Sequence, residues 1–160
     1  MKELYVTATA LGLALASSSG AMGAGQLPYA GDGHFMTTPD ALQWSDVASM
    51  APGAKITVIE GNLATAAPFT IRLKLPAGYR LAPHTHPAYE RVTVLSGTLH
   101  FAHGEAFDRA TAKALPAGSV AIMPPGAPMF GFTEEETVIQ LHGTGPWGLK
   151  YVNPSDDPRS

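Results

Sequence analysis

Glycine and proline divide most of this chain into short segments, and this division restricts the folds that are open to it. The 160 residues include 17 glycines and 14 prolines, while charged residues make up only 14% of the sequence. Between Pro68 and Pro76, the apolar residues Phe69, Ile71 and Leu73 alternate with polar neighbours. This period of two is typical of a strand with one buried face. Short strands joined by turns predict an all-β domain with a single core.

Segments of the same kind continue along the chain. Strands are predicted at residues 56–59, 68–75, 91–95, 98–103, 119–123, 129–132, 137–141 and 149–152. Short strands with turns at this spacing predict a sandwich or a barrel. Two stretches interrupt the pattern. The sequence Thr38-Pro39-Asp40 predicts a short helical turn that extends to Val47, and residues 105–115 predict a surface helix or a loop insertion.

The two ends of the chain differ from the middle. Residues 1–24 have the layout of a secretory signal peptide: a positive start at Lys2, an apolar run too short to span a bilayer comfortably, and then small residues. A buried N-terminal helix is the competing interpretation. We therefore expect a periplasmic or secreted protein with no membrane-spanning helix after the signal is removed. Residues 25–55 form an irregular lead-in, and the polar residues 153–160 a flexible tail.

Charge and cysteine content exclude several classes of protein. The formal net charge is −3, and no cluster of lysine and arginine occurs, so a nucleic-acid partner is not expected. The chain has no cysteine, so it has no disulfide, and a metal would be held by nitrogen, oxygen or thioether sulfur. The sequence contains neither a G-x-x-x-x-G-K phosphate loop nor a G-x-S-x-G nucleophile elbow.

Two histidines and a glutamate lie close together in the middle of the chain. His84 and His86 are two residues apart, so their side chains point to the same face of a strand. Glu90 has the same parity, and a bend at Pro87 can bring its carboxylate to the two imidazoles. Two histidines and one carboxylate form the facial triad of non-haem iron sites, and the set also suits Mn, Zn, Ni or Cu. The segment therefore predicts a site for a divalent transition metal.

The spacing of this segment resembles the first motif of the cupin superfamily. Gly78, His84, His86, Glu90 and Gly97 occupy the fixed positions of that motif without a gap. In cupins the two histidines and the glutamate bind a metal inside a small β-barrel. The resemblance thus implies that these same three residues are the metal ligands here.

The resemblance also implies a fold and an assembly. It covers about residues 56–152, and it predicts a single-domain double-stranded β-helix, which is a jelly-roll barrel. Small cupins commonly pair through edge strands, and an exposed sheet edge has to be covered. A homodimer is therefore expected by analogy.

A second cupin motif is present as a frame but lacks its metal ligand. Gly118, Pro124 and Gly126 stand at their places, whereas Met129 replaces the usual histidine and Thr133 the usual asparagine. Three interpretations are open. The Met129 thioether ligates the metal, which would suit copper; or Met129 is apolar packing beside a three-residue site with open positions; or the site is weakened and binds metal poorly.

Two further residues are candidates near the site. His142 ends the last long predicted strand, where it could fill the fourth metal position, move protons as a catalytic residue or support a ligand. A hydrogen-bonded histidine at the end of a strand is the plainer interpretation, because alternation does not decide which face points inward. Trp147, in the loop G-T-G-P-W-G, is interpreted as a packing anchor rather than as a cover over the barrel mouth.

The leading functional prediction is a metal-dependent enzyme of the oxygenase type that acts on a small organic molecule. An apolar wall around the metal is expected to exclude water, and its predicted members are Phe69, Ile71, Val92, Val94, Ile122, Met123 and Phe130. The alternatives are a non-catalytic exported protein that binds copper or a small ligand, and an isomerase or lyase that uses the metal as a Lewis acid.

Overall fold

The structure is a computed structural model that describes residues 27–31 and 33–160. The predicted signal peptide, residues 1–24, lies outside the described residues. The described chain is almost entirely β, as predicted. Its strands are β1 (Ser45–Asp46), β2 (Lys55–Glu60), β3 (Pro68–Leu75), β4 (Arg80–Thr85), β5 (Glu90–Ser96), β6 (Thr98–His103), β7 (Lys113–Pro116), β8 (Val120–Met123), β9 (Met129–Thr133), β10 (Thr137–Thr144) and β11 (Lys150–Tyr151).

These strands form two antiparallel sheets. The first has six strands in the order β1-β2-β3-β10-β5-β8, and the second has five in the order β11-β4-β9-β6-β7. Most steps from β3 to β11 cross from one sheet to the other, which is the jelly-roll arrangement. No strand pairing joins the two sheets within the described residues, so the predicted jelly roll is confirmed as two facing sheets that do not close into a barrel.

The core lies between the two sheets and follows the alternation in the sequence. In β3 the residues Phe69, Ile71, Leu73 and Leu75 are at most 5% exposed, while the polar residues that alternate with them are only half-buried. From β10, Ile139 and Leu141 fill the same interior. Because most polar residues on each strand face outward, the buried residues are largely apolar; the buried polar ones are the candidate ligands and the threonines Thr57, Thr133 and Thr137.

Two local predictions differ from the structure. The helical turn is a 3-10 turn confined to Pro39–Ala41, and the chain then extends into β1, where Asp46 accepts a hydrogen bond from Lys55 at 2.7 Å. Of the two alternatives predicted for residues 105–115, the surface helix is wrong: a loop with a 3-10 turn at Arg109–Thr111 leads into β7. Both segments lie at a sheet edge, where pairing with a neighbouring strand outweighs local helix propensity.

An aromatic cluster covers the outer face of the five-stranded sheet. Phe107, from the loop between β6 and β7, packs on Phe130 and Phe132 with ring centroids 5.3 and 6.3 Å away. The guanidinium of Arg109 lies 3.7 Å from the centre of the Phe132 ring. Phe130 therefore does not belong to the predicted wall around the metal, and Ile122 does not either, because its side chain is 58% exposed.

The C-terminal segment, which the sequence predicts to be flexible, follows a defined path along the molecule. It contains a 3-10 turn at Pro154–Asp156, and Asp156 pairs with Arg80 at 3.3 Å. Arg159 donates to the carbonyl oxygen of Leu149 at 3.2 Å. In the described residues there is no helix long and apolar enough to cross a membrane.

Candidate metal centre

Backbone carbonyls orient both candidate histidines. His84 lies near the end of β4 and His86 just after it, and both side chains are buried. His84 Nδ1 contacts the carbonyl oxygen of Ala82 at 2.7 Å, and His86 Nδ1 contacts that of Gly148 at 2.7 Å. A carbonyl oxygen can only accept, so each Nδ1 must carry the hydrogen. Both Nε2 atoms are then left with a free lone pair, which is the form that ligates a metal.

The glutamate lies beside these rings. Glu90 opens β5, is 5% exposed, and its Oε1 is 3.4 Å from His86 Nε2. That separation is at the limit of a hydrogen bond, and His86 Nε2 has no hydrogen-bond partner within the described chain. The rings of His84 and His86 meet edge to face, with their centroids 5.0 Å apart. The three side chains predicted from the sequence are thus neighbours.

The three side chains share one small cavity. Its volume is about 30 Å³. Besides His84, His86 and Glu90, its lining is almost wholly apolar: Met50, Leu73, Leu81, Val92, Leu99, Phe101, Ile139, Leu141, Trp147 and Leu149. This space matches roughly one water molecule and is far below the roughly 300 Å³ or more of an organic ligand pocket.

Burial controls the charge of the site. It raises the pKa of Glu90 to about 8. Burial, reinforced by the nearby His84 and opposed by the hydrogen bond to Gly148, lowers the pKa of His86 to about 4. Burial also lowers the pKa of His84. At neutral pH the unloaded site would therefore hold two neutral imidazoles and a protonated carboxyl.

The donor set fits a divalent transition metal in its chemistry. Two unprotonated imidazole nitrogens, one of them buried without a partner, and one carboxyl group face a cavity lined mostly by apolar side chains. As the side chains stand, however, no three His, Asp or Glu groups of residues 27–31 and 33–160 are arranged to share one ion. The three-ligand site therefore stays a prediction, and it requires a rearrangement of side chains that already line the same cavity.

Met129 and Thr133, the two residues that depart from the second cupin motif, lie in different surroundings. Met129 pairs with His84 across β9 and β4 and is fully buried in the core. It is not one of the residues that line the small cavity in the described part of the chain, which favours packing over ligation. Thr133 Oγ1 donates to the carbonyl oxygen of Pro76 at 2.6 Å and accepts from the backbone N–H of Tyr79 at 3.2 Å. Thr133 thus secures the turn that leads into β4.

His142 does not line the cavity, so the structure gives no support to its predicted catalytic role. Its neighbour Leu141 points into the cavity, so strand alternation turns His142 to the outer face of the six-stranded sheet, where it is exposed. There it lies beside Thr70 and Arg91 of the neighbouring strands. A histidine on that face cannot exchange a proton directly with the cavity.

Trp147 contacts a candidate metal ligand, although the sequence predicted only a packing anchor. Its indole stacks on the His86 imidazole, with centroids 4.5 Å apart and planes 14° apart. It also packs against Phe69 at 5.6 Å. The sequence signal was an aromatic residue in a loop of glycine and proline, and only the tertiary structure connects that loop to a histidine 61 positions earlier in the numbering.

Comparison with known proteins assigns the chain to a family. Residues 32–147 match the family model described as ChrR Cupin-like domain. The chain therefore belongs to this cupin family, and the cupin resemblance is confirmed. No curated protein sequence matches the chain.

Solved structures show the same fold at low identity. The polyketide cyclase RemF from Streptomyces resistomycificus superposes with a TM-score of 0.63 at 15% identity, covering 79% of this chain and 90% of that one. A putative acetylacetone dioxygenase from Methylibium petroleiphilum PM1 gives 0.60 at 16%, covering 81% and 88%. The DMSP lyase DddQ from Ruegeria pomeroyi DSS-3 gives 0.53 at 20%, covering 66% and 57%.

Proposed function

We propose that this chain is a metal-binding cupin in which His84, His86 and Glu90 hold a divalent transition metal (Fe, Mn, Cu, Ni or Zn) that acts on a small organic molecule. One observation carries the proposal: the buried, unpartnered His86 Nε2 lies 3.4 Å from the buried Glu90 carboxyl. Without a cation, burying these polar groups has an uncompensated cost. A divalent ion would take both Nε2 lone pairs and ionise Glu90.

Oxygenase chemistry is the leading proposal for the reaction. When bound, a metal with this donor set supplies a Lewis acid or a centre for O₂ chemistry. The protein's own part is to present two fixed imidazoles, to hold or release a proton at Glu90, and to exclude water with apolar side chains. The acetylacetone dioxygenase, cyclase and lyase named above share the fold, and they support a small-molecule enzyme of one of these kinds.

A second candidate is a non-catalytic protein that binds a metal or a small ligand. The cavity volume of about 30 Å³ favours it, because an organic substrate would not enter without movement of the lining. A space of this size is enough for a single ion.

Metal analysis followed by turnover separates these candidates. The purified protein, His86→Ala, Glu90→Gln and the control His142→Gln would be titrated with Fe(II), Mn(II), Co(II), Ni(II), Cu(II) and Zn(II) by calorimetry. We expect one ion per chain in the wild type and in His142→Gln, and a loss of more than tenfold in affinity in the other two. Equal affinities in all four proteins would overturn the metal site. Uptake of O₂ with acetylacetone as probe then distinguishes an oxygenase from a binder.

We further propose that the protein is exported. The support is the layout of residues 1–24 in the sequence. N-terminal sequencing of the full chain expressed in a bacterium, with separate periplasmic and cytoplasmic fractions, should find a periplasmic form that begins between residues 22 and 26. An uncleaved cytoplasmic protein would contradict export.

A further inference from the structure

We infer that Trp147 is a positioning residue for His86: its indole and the adjacent Gly148 carbonyl together fix the tautomer and orientation in which His86 Nε2 faces the cavity. The inference deepens the proposed function and rests on it for the metal itself. The tautomer and the ring position, however, can be measured without any metal.

The first contact is the stack. The indole and imidazole planes are 14° apart, and their centroids are 4.5 Å apart, so Trp147 covers one whole face of the His86 ring. On another side, the His84 ring meets His86 edge-on at 5.0 Å. With neighbours on both sides, rotation of the His86 ring about its χ2 angle would collide with one of them.

The second contact is the hydrogen bond from the same loop. His86 Nδ1 donates to the carbonyl oxygen of Gly148 at 2.7 Å. Because the neutral ring has one hydrogen, this bond leaves Nε2 unprotonated. A single loop therefore supplies both the covering surface and the acceptor that sets the tautomer.

The loop is itself fixed to the connection between β2 and β3. The backbone N–H of Trp147 donates to the carbonyl oxygen of Leu63 at 2.7 Å, and that of Gly145 donates to Ala67 at 2.9 Å. The indole also rests on Phe69, a core residue of β3. The position of His86 is thus set by the six-stranded sheet, although His86 itself follows β4 in the other sheet.

The first experiment uses metal-free protein and nuclear magnetic resonance. Long-range proton–nitrogen correlation spectra report which ring nitrogen of His86 is protonated. In the wild type we expect the His86 hydrogen on Nδ1 and His86 ring protons that are shifted upfield by the indole. Trp44→Phe, which replaces the other of the two tryptophans, is the matched control and should give the same spectrum. Trp147→Phe should keep the tautomer, whereas Trp147→Leu should give a mixture of tautomers and lose the upfield shift. An unchanged His86 spectrum in Trp147→Leu would overturn the inference.

The second experiment measures metal binding by the same proteins. Trp147→Leu should bind Co(II) about 10–100-fold more weakly than the wild type, the loss typical of a partner that orients a ligand. Trp147→Phe should recover most of that loss because it retains a ring against His86. Equal affinity in the three proteins would contradict positioning, whereas a wild type that binds no metal would contradict the proposed function and leave the tautomer test standing.

A third measurement does not depend on the leucine variant, which could fail to fold. In Trp44→Phe, Trp147 is the remaining tryptophan, and Cu(II) at His86 should quench its fluorescence at one ion per chain. In Trp147→Phe, the fluorescence of Trp44 should stay unchanged over the same titration. Stoichiometric Cu(II) binding without quenching of Trp147 would place the ion away from His86 and contradict the proposed metal site, whereas the tautomer test would still decide the inference.

Discussion

At the scale of single residues, the site is defined by polar groups placed where water does not reach. Glu90 and His86 are both less than 6% exposed, and burial disfavours the charged form of each. The two pKa shifts are opposite in sign: the pKa of Glu90 is raised, so its carboxyl stays protonated at neutral pH, and the pKa of His86 is lowered, so its imidazole stays neutral. A metal ion is the simplest partner that would satisfy both groups.

The Glu90 shift predicts how metal-free stability changes with pH. Between pH 6.5 and about 8 the folded state keeps the Glu90 proton that the unfolded state has lost, so the free energy of unfolding falls as pH rises. His84 and His86, whose pKa values burial lowers, act in the opposite direction, chiefly below their unfolded pKa of 6.5. The Glu90 contribution to the slope can reach about 1.4 kcal/mol per pH unit.

Urea unfolding of chelator-treated protein across this range measures the slope. Glu90→Gln cannot titrate at this position, so its free energy of unfolding should be flatter than that of the wild type from pH 6.5 to 8. If the free energy of unfolding changed equally with pH in the two proteins, the pKa of Glu90 would not be raised by burial.

Met129 gives a second prediction at this scale. Because it is fully buried in the core and does not line the cavity, Met129→Leu should bind Cu(II) within about threefold of the wild type and lose less than about 1.5 kcal/mol of stability. Calorimetric titration with Cu(II) checks the affinity. A loss of tenfold or more in a folded Met129→Leu protein would mean that the thioether is a ligand.

At the scale of elements, strand alternation and tight turns bring the site residues together. The turn between β5 and β6 has Gly97 at a φ of 71°, where a Cβ would lie 2.5 Å from the carbonyl oxygen of Glu136 and 2.6 Å from Thr137 Oγ1. Gly78 has a similar φ of 74°, but a Cβ there would have open space. The two glycines of the ligand segment thus carry different constraints.

Alanine substitutions at Gly78 and Gly97 separate the cost of backbone strain, which both would have, from the cost of a steric clash, which only Gly97 would have. Gly78→Ala should cost about 1–2 kcal/mol, the penalty of a left-handed conformation for a residue with a Cβ. Gly97→Ala should cost about 3 kcal/mol or more, because the strain is joined by a collision with backbone. Urea unfolding compares the two variants, and equal losses would mean that the turn before β6 can shift freely.

At the scale of the whole molecule, the two sheets leave edges open. The strand β8 forms one edge of the six-stranded sheet, and its residues Val120 and Ile122 are 61% and 58% exposed. Unpaired strand edges with apolar side chains are surfaces that native proteins usually cover. The homodimer expected from the cupin resemblance stays a prediction, and this edge is where we expect it.

Light scattering after size-exclusion chromatography tests that interface. The wild type should elute with twice the mass of the chain, and Ile122→Lys should shift it toward the monomer because a charge would be buried at the edge. Arg91→Lys, on the strand beside β8, serves as a control that keeps the charge. A monomeric wild type would remove the prediction.

Much of the fold could be read from the sequence, because its signals are local. The alternation from Phe69 to Leu75 is a property of neighbouring residues, and it placed one face of β3 in the core correctly. The same holds for the turn at Gly97 and for β6, which occupies the predicted residues 98–103. Edge strands such as β7 were missed because their pairing partner, not their own composition, makes them strands.

The sequence by itself determined the all-β class, the cupin membership and the grouping of His84, His86 and Glu90. Two histidines two residues apart point to the same side, and the short turn at Pro87 leads directly to Glu90 at the start of the next strand. Only the tertiary structure decided that His142 faces outward, that Trp147 covers His86, and that the sheets do not close into a barrel. These features depend on which strand faces and distant loops pack together. Long-range packing is not contained in the periodicity of any one segment.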